Sequence, residues 1–119
     1  QFPCSKSIEF IGPLAHDDTI PYYQDADFFI LNSEYETFSI VVAEAWSCGV
    51  PVISTNVGIA ANMSRDLGRN IPKNDSTALS EMMLSIQKSA FDAEKIRNHA
   101  MQFSNEAILA KLNALYAKI

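Results

Sequence analysis

No lysine or arginine occurs between Lys6 and Arg65. A carboxylate or a phosphate held by that stretch has no local cation to pair with. Over all 119 residues, nine basic side chains face fourteen acidic ones, a formal net charge of −5 with an isoelectric point near 4.8. That balance excludes nucleic acid and anionic membrane as main partners. Two cysteines, Cys4 and Cys48, cannot build a disulfide framework, so a reduced setting is expected. No apolar run reaches the roughly 20 residues that cross a bilayer. The start shows no leader pattern, so the expected location is cytoplasmic, with peripheral attachment at the inner face of a membrane left open. Glu34 and Glu36 have no histidine or aspartate beside them, and no metal or other cofactor is expected. Ser-His-Asp and Cys-His spacings, repeats, heptads and low-complexity tracts are missing too. At this length one domain is the limit.

What the chain does have is concentrated in residues 27–55, DFFILNSEYETFSIVVAEAWSCGVPVIST. Phe28, Phe29, Ile30 and Leu31 form an apolar run that is short and β-prone, which predicts a buried strand. A polar turn follows over residues 32–36. Residues 39–48 are apolar nearly all round. Ile40-Val41-Val42 alone would suit a strand, but Ala43-Glu44-Ala45-Trp46 favours helix, and the next strand, 52–54, needs a crossover to run parallel. Strand, helix and strand predict a parallel α/β sheet, whose ligands gather at the carboxyl ends of the strands near Ser33 and Ser39. The free amides at the helix start, from Phe38 to Val41, suit a phosphate.

Glu44 is the anomaly. Buried without a partner, a carboxylate costs several kcal/mol on the order of magnitude. Either a cation or a hydroxyl-rich ligand satisfies it, or it points to solvent from an exposed stripe. With no lysine or arginine nearby, a ligand is the favoured partner.

The flanks are read more coarsely. Residues 7–11 predict a short strand ending at Gly12-Pro13. Asp17, Asp18 or Thr19 caps a short helix with Pro21 in its first turn and Tyr22, Tyr23 and Gln24 behind it. His16 and His99 read as surface residues. After the second strand, residues 59–67 predict a helix stopped by Gly68, and Asn70-Ile71-Pro72 a minimal fourth strand. Asp75 or Ser76 caps a helix with a Leu79, Met82, Met83 and Ile86 stripe. Asp92 caps another with Ile96, Ala100 and Phe103. Ser104 caps the last, with Ile108, Leu112, Leu115 and Ile119 facing inward. The fold class is α/β: a partial doubly wound, Rossmann-like parallel sheet of three or four strands, one incomplete domain over 1–119 with C-terminal helices over 76–119.

The central stretch resembles the donor-binding motif of the group 1 (family 4) retaining glycosyltransferases of the GT-B fold. Two glutamates with seven residues between them, Glu36 and Glu44, carry the likeness. So do Ala26-Asp27, Asn32-Ser33, Glu44-Ala45 and Gly49-Val50-Pro51-Val52-Ile53, and weaker matches run from Phe10-Ile11-Gly12 to Tyr116. The resemblance implies a role for each residue. Glu36 contacts donor-sugar hydroxyls near the reacting carbon, as the catalytic-site residue. Phe38, Ser39 and Ile40 offer backbone amides to sugar and diphosphate, with Val41 beside them. Glu44 binds the ribose hydroxyls, and the corner near Leu14 lines the base pocket. The substrate it implies is a nucleotide-diphosphate sugar, used without a metal. The acceptor, a glycan or lipid-linked group, is held mainly by another domain.

Several positions depart from that pattern. Thr37 and Ser39 stand where glycines are common, Ile59 replaces a second glycine after Gly58, and Asn62 takes the place of a glutamate. An arginine and a lysine that hold the diphosphate in the family have no counterpart here. The expectation is therefore the carboxyl-terminal part of a donor domain, inactive by itself, with an open sheet edge prone to self-association. The rival expectation is a non-catalytic nucleotide-sugar-binding or assembly module.

Overall fold

The computed structural model describes residues 8–118. Three parallel strands, β1 (Phe29–Leu31), β2 (Val52–Thr55) and β3 (Gly68–Ile71), lie side by side in chain order. Val52 stands opposite both Phe29 and Gly68, and Ser54 opposite both Leu31 and Asn70. The central strand β2 is buried at all four positions, as a parallel strand covered on both faces must be. Among the described residues, five α-helices accompany the sheet: α1 (His16–Asp25), α2 (Ile40–Ser47), α3 (Ser76–Ser85), α4 (Ala93–Ala100) and α5 (Asn105–Tyr116). The α/β class with a short parallel sheet is thus as the sequence predicts, with three strands among the described residues.

α2 is the crossover between β1 and β2 and sits at the centre of the core. Its Ile-Val-Val start is helical because tertiary packing outweighs a propensity difference of less than 1 kcal/mol per residue. Val42, Ala45 and Trp46 of α2 join Val50, Val52, Leu67, Ile96 and Ala100 in one buried cluster, which α4 closes from outside. The helix ends sharply. Gly49 (φ +75°) donates to the Trp46 carbonyl at 2.9 Å and Val50 to the Ala45 carbonyl at 3.0 Å, the paired bonds of a Schellman turn. The turn aims the chain straight into β2.

Local caps form where the sequence places them. Asp75 accepts from the Ala78 amide, Asp92 from Glu94 and Lys95, and Ser104 from Ala107. Other expectations are corrected. Residues 8–11 belong to no strand, and Ile8, Phe10 and Ile11 are exposed (residue 7 lies outside the described residues). Among the described residues the ladder runs through β1, β2 and β3 only, so no strand pairs with this segment. α1 starts earlier than the aspartates, with Ala15 at its cap position and Pro21 in its interior. Residues 59–67 are not an α-helix: only a 3-10 turn, Gly58–Ala60, forms before Asn62 turns left-handed at φ 51°. The Asn62 amide donates to Asn56 Oδ1 and the Asp66 amide to Ser64 Oγ, and such side-chain bonds compete with a helix for the backbone. Gly68 then opens β3 rather than stopping a helix. Met83 is 53% exposed and falls off the α3 stripe. On α5, Ile108, Leu112 and Leu115 are exposed, and Ile119 lies outside the described residues.

Candidate functional site

Two loops meet at the carboxyl end of the sheet, 32–39 after β1 and 56–58 after β2. Thr55 Oγ1 donates to the Ser33 carbonyl at 2.6 Å, and Ser33 Oγ to the Tyr35 carbonyl at 3.0 Å. The Ile59 amide donates to the Phe38 carbonyl at 2.8 Å. Gly58 makes that approach possible: its φ is +49°, and a Cβ there would collide with the Phe38 carbonyl and with Ser39 Oγ. The first loop is thereby pinned from behind, with the Phe38 ring set edge-on to Phe103 at 5.5 Å.

Loop 32–39 delivers the start of α2. Ser39 is its cap residue, at φ 75° and ψ 68°. The Val42 and Ala43 amides bond to the Ser39 carbonyl. Those of Ser39, Ile40 and Val41 donate to nothing among the described residues. Three free donors at the positive end of a helix form an oxyanion-binding arrangement. Phe38 is 43% and Ile40 64% exposed, so this end faces open space.

Ser39 itself is strained. It is only 5% exposed, and its Oγ is buried without a hydrogen-bond partner. The left-handed backbone costs a serine about 1–2 kcal/mol, and an unpaired buried hydroxyl about 1–3 kcal/mol. Glycine removes both costs and loses about 0.5–1 kcal/mol through its freer unfolded chain. Ser39→Gly is therefore expected to stabilise the fold by about 1–4 kcal/mol, read as a higher urea midpoint at unchanged slope. Strain of this kind collects where function needs a fixed backbone.

Glu36 is half-buried on the same loop and makes no ion pair or hydrogen bond among the described residues. Glu44 lies one turn into α2 with its side chain 23% exposed, and it is not alone: His16 Nδ1 stands 3.4 Å from Oε1. Tyr23 stands beside Glu44 in the wall of the same cavity. Both residues come from α1. Of the alternatives the sequence leaves open, a ligand for Glu44 is therefore joined by a protein neighbour, and His16 is a surface residue as expected, its side chain 69% exposed. A cavity of about 240 Å³ lies between α1 and α2, lined by His16, Ile20, Tyr23, Ala43, Glu44 and Cys48 among others. Leu14 lines a second cavity of about 300 Å³ with Ile11, Tyr22 and Phe29, and Tyr23 is in its wall as well.

Burial and then the neighbouring Glu44 carboxylate push the Tyr23 hydroxyl from 10.0 to about 12. The Cys48 thiol is pushed up by burial first and the Glu44 charge second. A raised tyrosine favours its protonated form in the fold, so its contribution is complete below pH 10. It is lost as pH rises from 10 toward 12, because the unfolded chain releases that proton first. Tyr23→Phe is expected to flatten this alkaline decline, measured by denaturation at successive pH values.

The family described as "Glycosyl transferases group 1" matches residues 3–89. The chain belongs to the group 1 glycosyltransferases. Among its curated relatives is a D-inositol 3-phosphate glycosyltransferase of Corynebacterium jeikeium, 27% identical over 97% of this chain and 29% of that protein. Another is an O-antigen chain mannosyltransferase B of Escherichia coli, 37% identical over 65% of this chain and 20% of that protein. A solved sucrose-phosphate synthase from Thermosynechococcus elongatus superposes with a TM-score of 0.83 at 28% identity, over 95% of this chain and 30% of that one. The chain therefore spans less than a third of the length of these glycosyltransferases.

Within this glycosyltransferase chain, the fold brings Glu36, Phe38, Ser39, Ile40, Val41 and Glu44 onto one strand-loop-helix connection. Leu14 enters from a separate segment, joined to Glu44 through the wall formed by Tyr23. The residues not singled out from the sequence are Tyr23 and His16. His16, Ile20 and Tyr23 are spaced four and three apart, one face of a helix, which is the signal that groups them. His99 reads as surface but is half-buried, edge-on to Trp46 at 5.2 Å.

Proposed function

We propose that these residues form the sugar-nucleotide side of a family 4, GT-B glycosyltransferase site. Such an enzyme transfers a sugar from a nucleotide-diphosphate donor, with retention, to a glycan or lipid-linked acceptor. One observation carries the reading. The free amides of Ser39, Ile40 and Val41 open between two carboxylates, Glu36 before the helix and Glu44 within it. Amides at a helix start donate to a diphosphate, and carboxylates accept hydrogen bonds from sugar and ribose hydroxyls. In this reading Glu36 meets the donor sugar, the amides take the diphosphate, Glu44 takes the ribose diol, and the Leu14 cavity takes the base. No step in the reading calls on a metal or other cofactor.

The residues act, in our proposal, as part of a longer chain and transfer nothing by themselves. The share of each relative that they cover supports this. So does the cation-free stretch 7–64, because a diphosphate held by amides alone is bound weakly. The test uses the full natural chain and a panel of uridine, guanosine and adenosine diphosphate sugars. One donor is expected to bind, and Glu44→Gln to weaken it by about tenfold. Binding of no donor by the full chain overturns the proposal. Binding without transfer to any acceptor favours a non-catalytic assembly role.

A further inference from the structure

Glu44 does not stand free at the edge of its cavity: His16 of α1 meets it, and Tyr23 of α1 lines the same cavity. A lone carboxylate on a helix rotates about its side-chain bonds, and a diol presents two donors at fixed spacing. A carboxylate already fixed by a neighbour loses less freedom when it takes both. Here His16 Nδ1 lies 3.4 Å from Glu44 Oε1, and Tyr23 lines the Glu44 cavity and the Leu14 cavity together. Tyr23 is itself fixed, its ring 5.5 Å from that of Phe29 on β1. His16 is the mobile partner, 69% exposed where Glu44 is 23% exposed.

We propose that Tyr23 and His16 complete the ribose subsite, Tyr23 as the positioning residue that orients the Glu44 carboxylate and His16 as a second hydrogen-bonding group for the diol. The inference rests on the donor-site reading and adds residues that the two-glutamate motif does not contain. It also explains why one tyrosine walls both cavities: a nucleoside's base and ribose are bonded to each other, so their pockets must adjoin.

The test uses a nucleoside diphosphate that the full natural chain binds, alongside its 2′,3′-dideoxy form, which lacks both ribose hydroxyls. The wild type is expected to prefer the ribose form by about tenfold or more. Tyr23→Phe, which keeps the ring against Phe29, is expected to weaken the ribose form about five- to tenfold and leave the dideoxy form unchanged. His16→Ala moves affinity the same way and His16→Gln restores part of it. Equal weakening of both forms by Tyr23→Phe shows a merely structural role and overturns the inference, and so does no change in either. If the wild type shows no preference, or Glu44→Gln keeps it, the assignment of Glu44 to ribose falls, and this inference with it.

Discussion

Trp46→Ala is expected to cost about 3–5 kcal/mol, the range for removing a fully buried aromatic side chain. A small domain has only about 5–15 kcal/mol in total, so the variant is unfolded or close to it at 37 °C. Trp46 is 1% exposed and sits where α2, α4 and the sheet meet. It packs edge-on to His99 at 5.2 Å and stacks on Phe103 at 6.4 Å, so its loss opens a hole that rigid neighbours cannot fill. Its indole Nε1 also donates to the Leu67 carbonyl at 3.2 Å. That carbonyl keeps the Val52 amide as a second donor at 3.0 Å. Trp46→Phe therefore loses part of the packing and one hydrogen bond of about 1 kcal/mol, and stays folded. Far-ultraviolet circular dichroism against urea checks both, since Trp46 is the chain's one tryptophan and its fluorescence is lost in either variant.

Glu36→Ala in the full natural chain is expected to lower kcat/KM for sugar transfer by about two to three orders of magnitude. Stability should stay within about 0.5 kcal/mol of wild type. The separation follows from the site. Glu36 is half-buried and has no protein partner among the described residues, so its removal orphans nothing in the fold. In the proposed reading its role lies with the donor, where a carboxylate next to a carbon gaining positive charge acts most strongly in the transition state. Transfer kinetics and a urea titration on the same preparation check the two halves. Lost activity with a lowered midpoint would mean that Glu36 supports the loop rather than the reaction.

The parts of this structure that the sequence reveals are those that local chemistry decides. β1, α2 and β2 follow from one apolar run, one crossover and one Gly-Val-Pro break. Asp75, Asp92 and Ser104 cap helices by reaching amides two or three residues ahead. The misread parts depend on contacts that a helix or strand period does not encode. Residues 59–67 carry apolar helix formers, yet Asn62 and the Asn56 side chain turn them into a loop, and β3 starts at Gly68 because β2 lies beside it. Leu112 and Leu115 have helical spacing, but spacing says nothing about whether a core awaits them, and they are exposed. The candidate site divides the same way. Its α2 residues are contiguous and legible in the motif, whereas the α1 neighbours of Glu44 lie 28 and 21 residues upstream of it, by the numbering of His16, Tyr23 and Glu44.

The most direct test of the donor site is an amide chemical-shift titration of the full natural chain with the nucleoside diphosphate of its donor. Binding at the start of α2 moves the amides of Ser39, Ile40 and Val41 most, and Glu44→Gln shrinks those shifts at the same ligand concentration. If the ligand binds while these three amides stay still, the start of α2 is not where the diphosphate goes, and the account of this site is wrong.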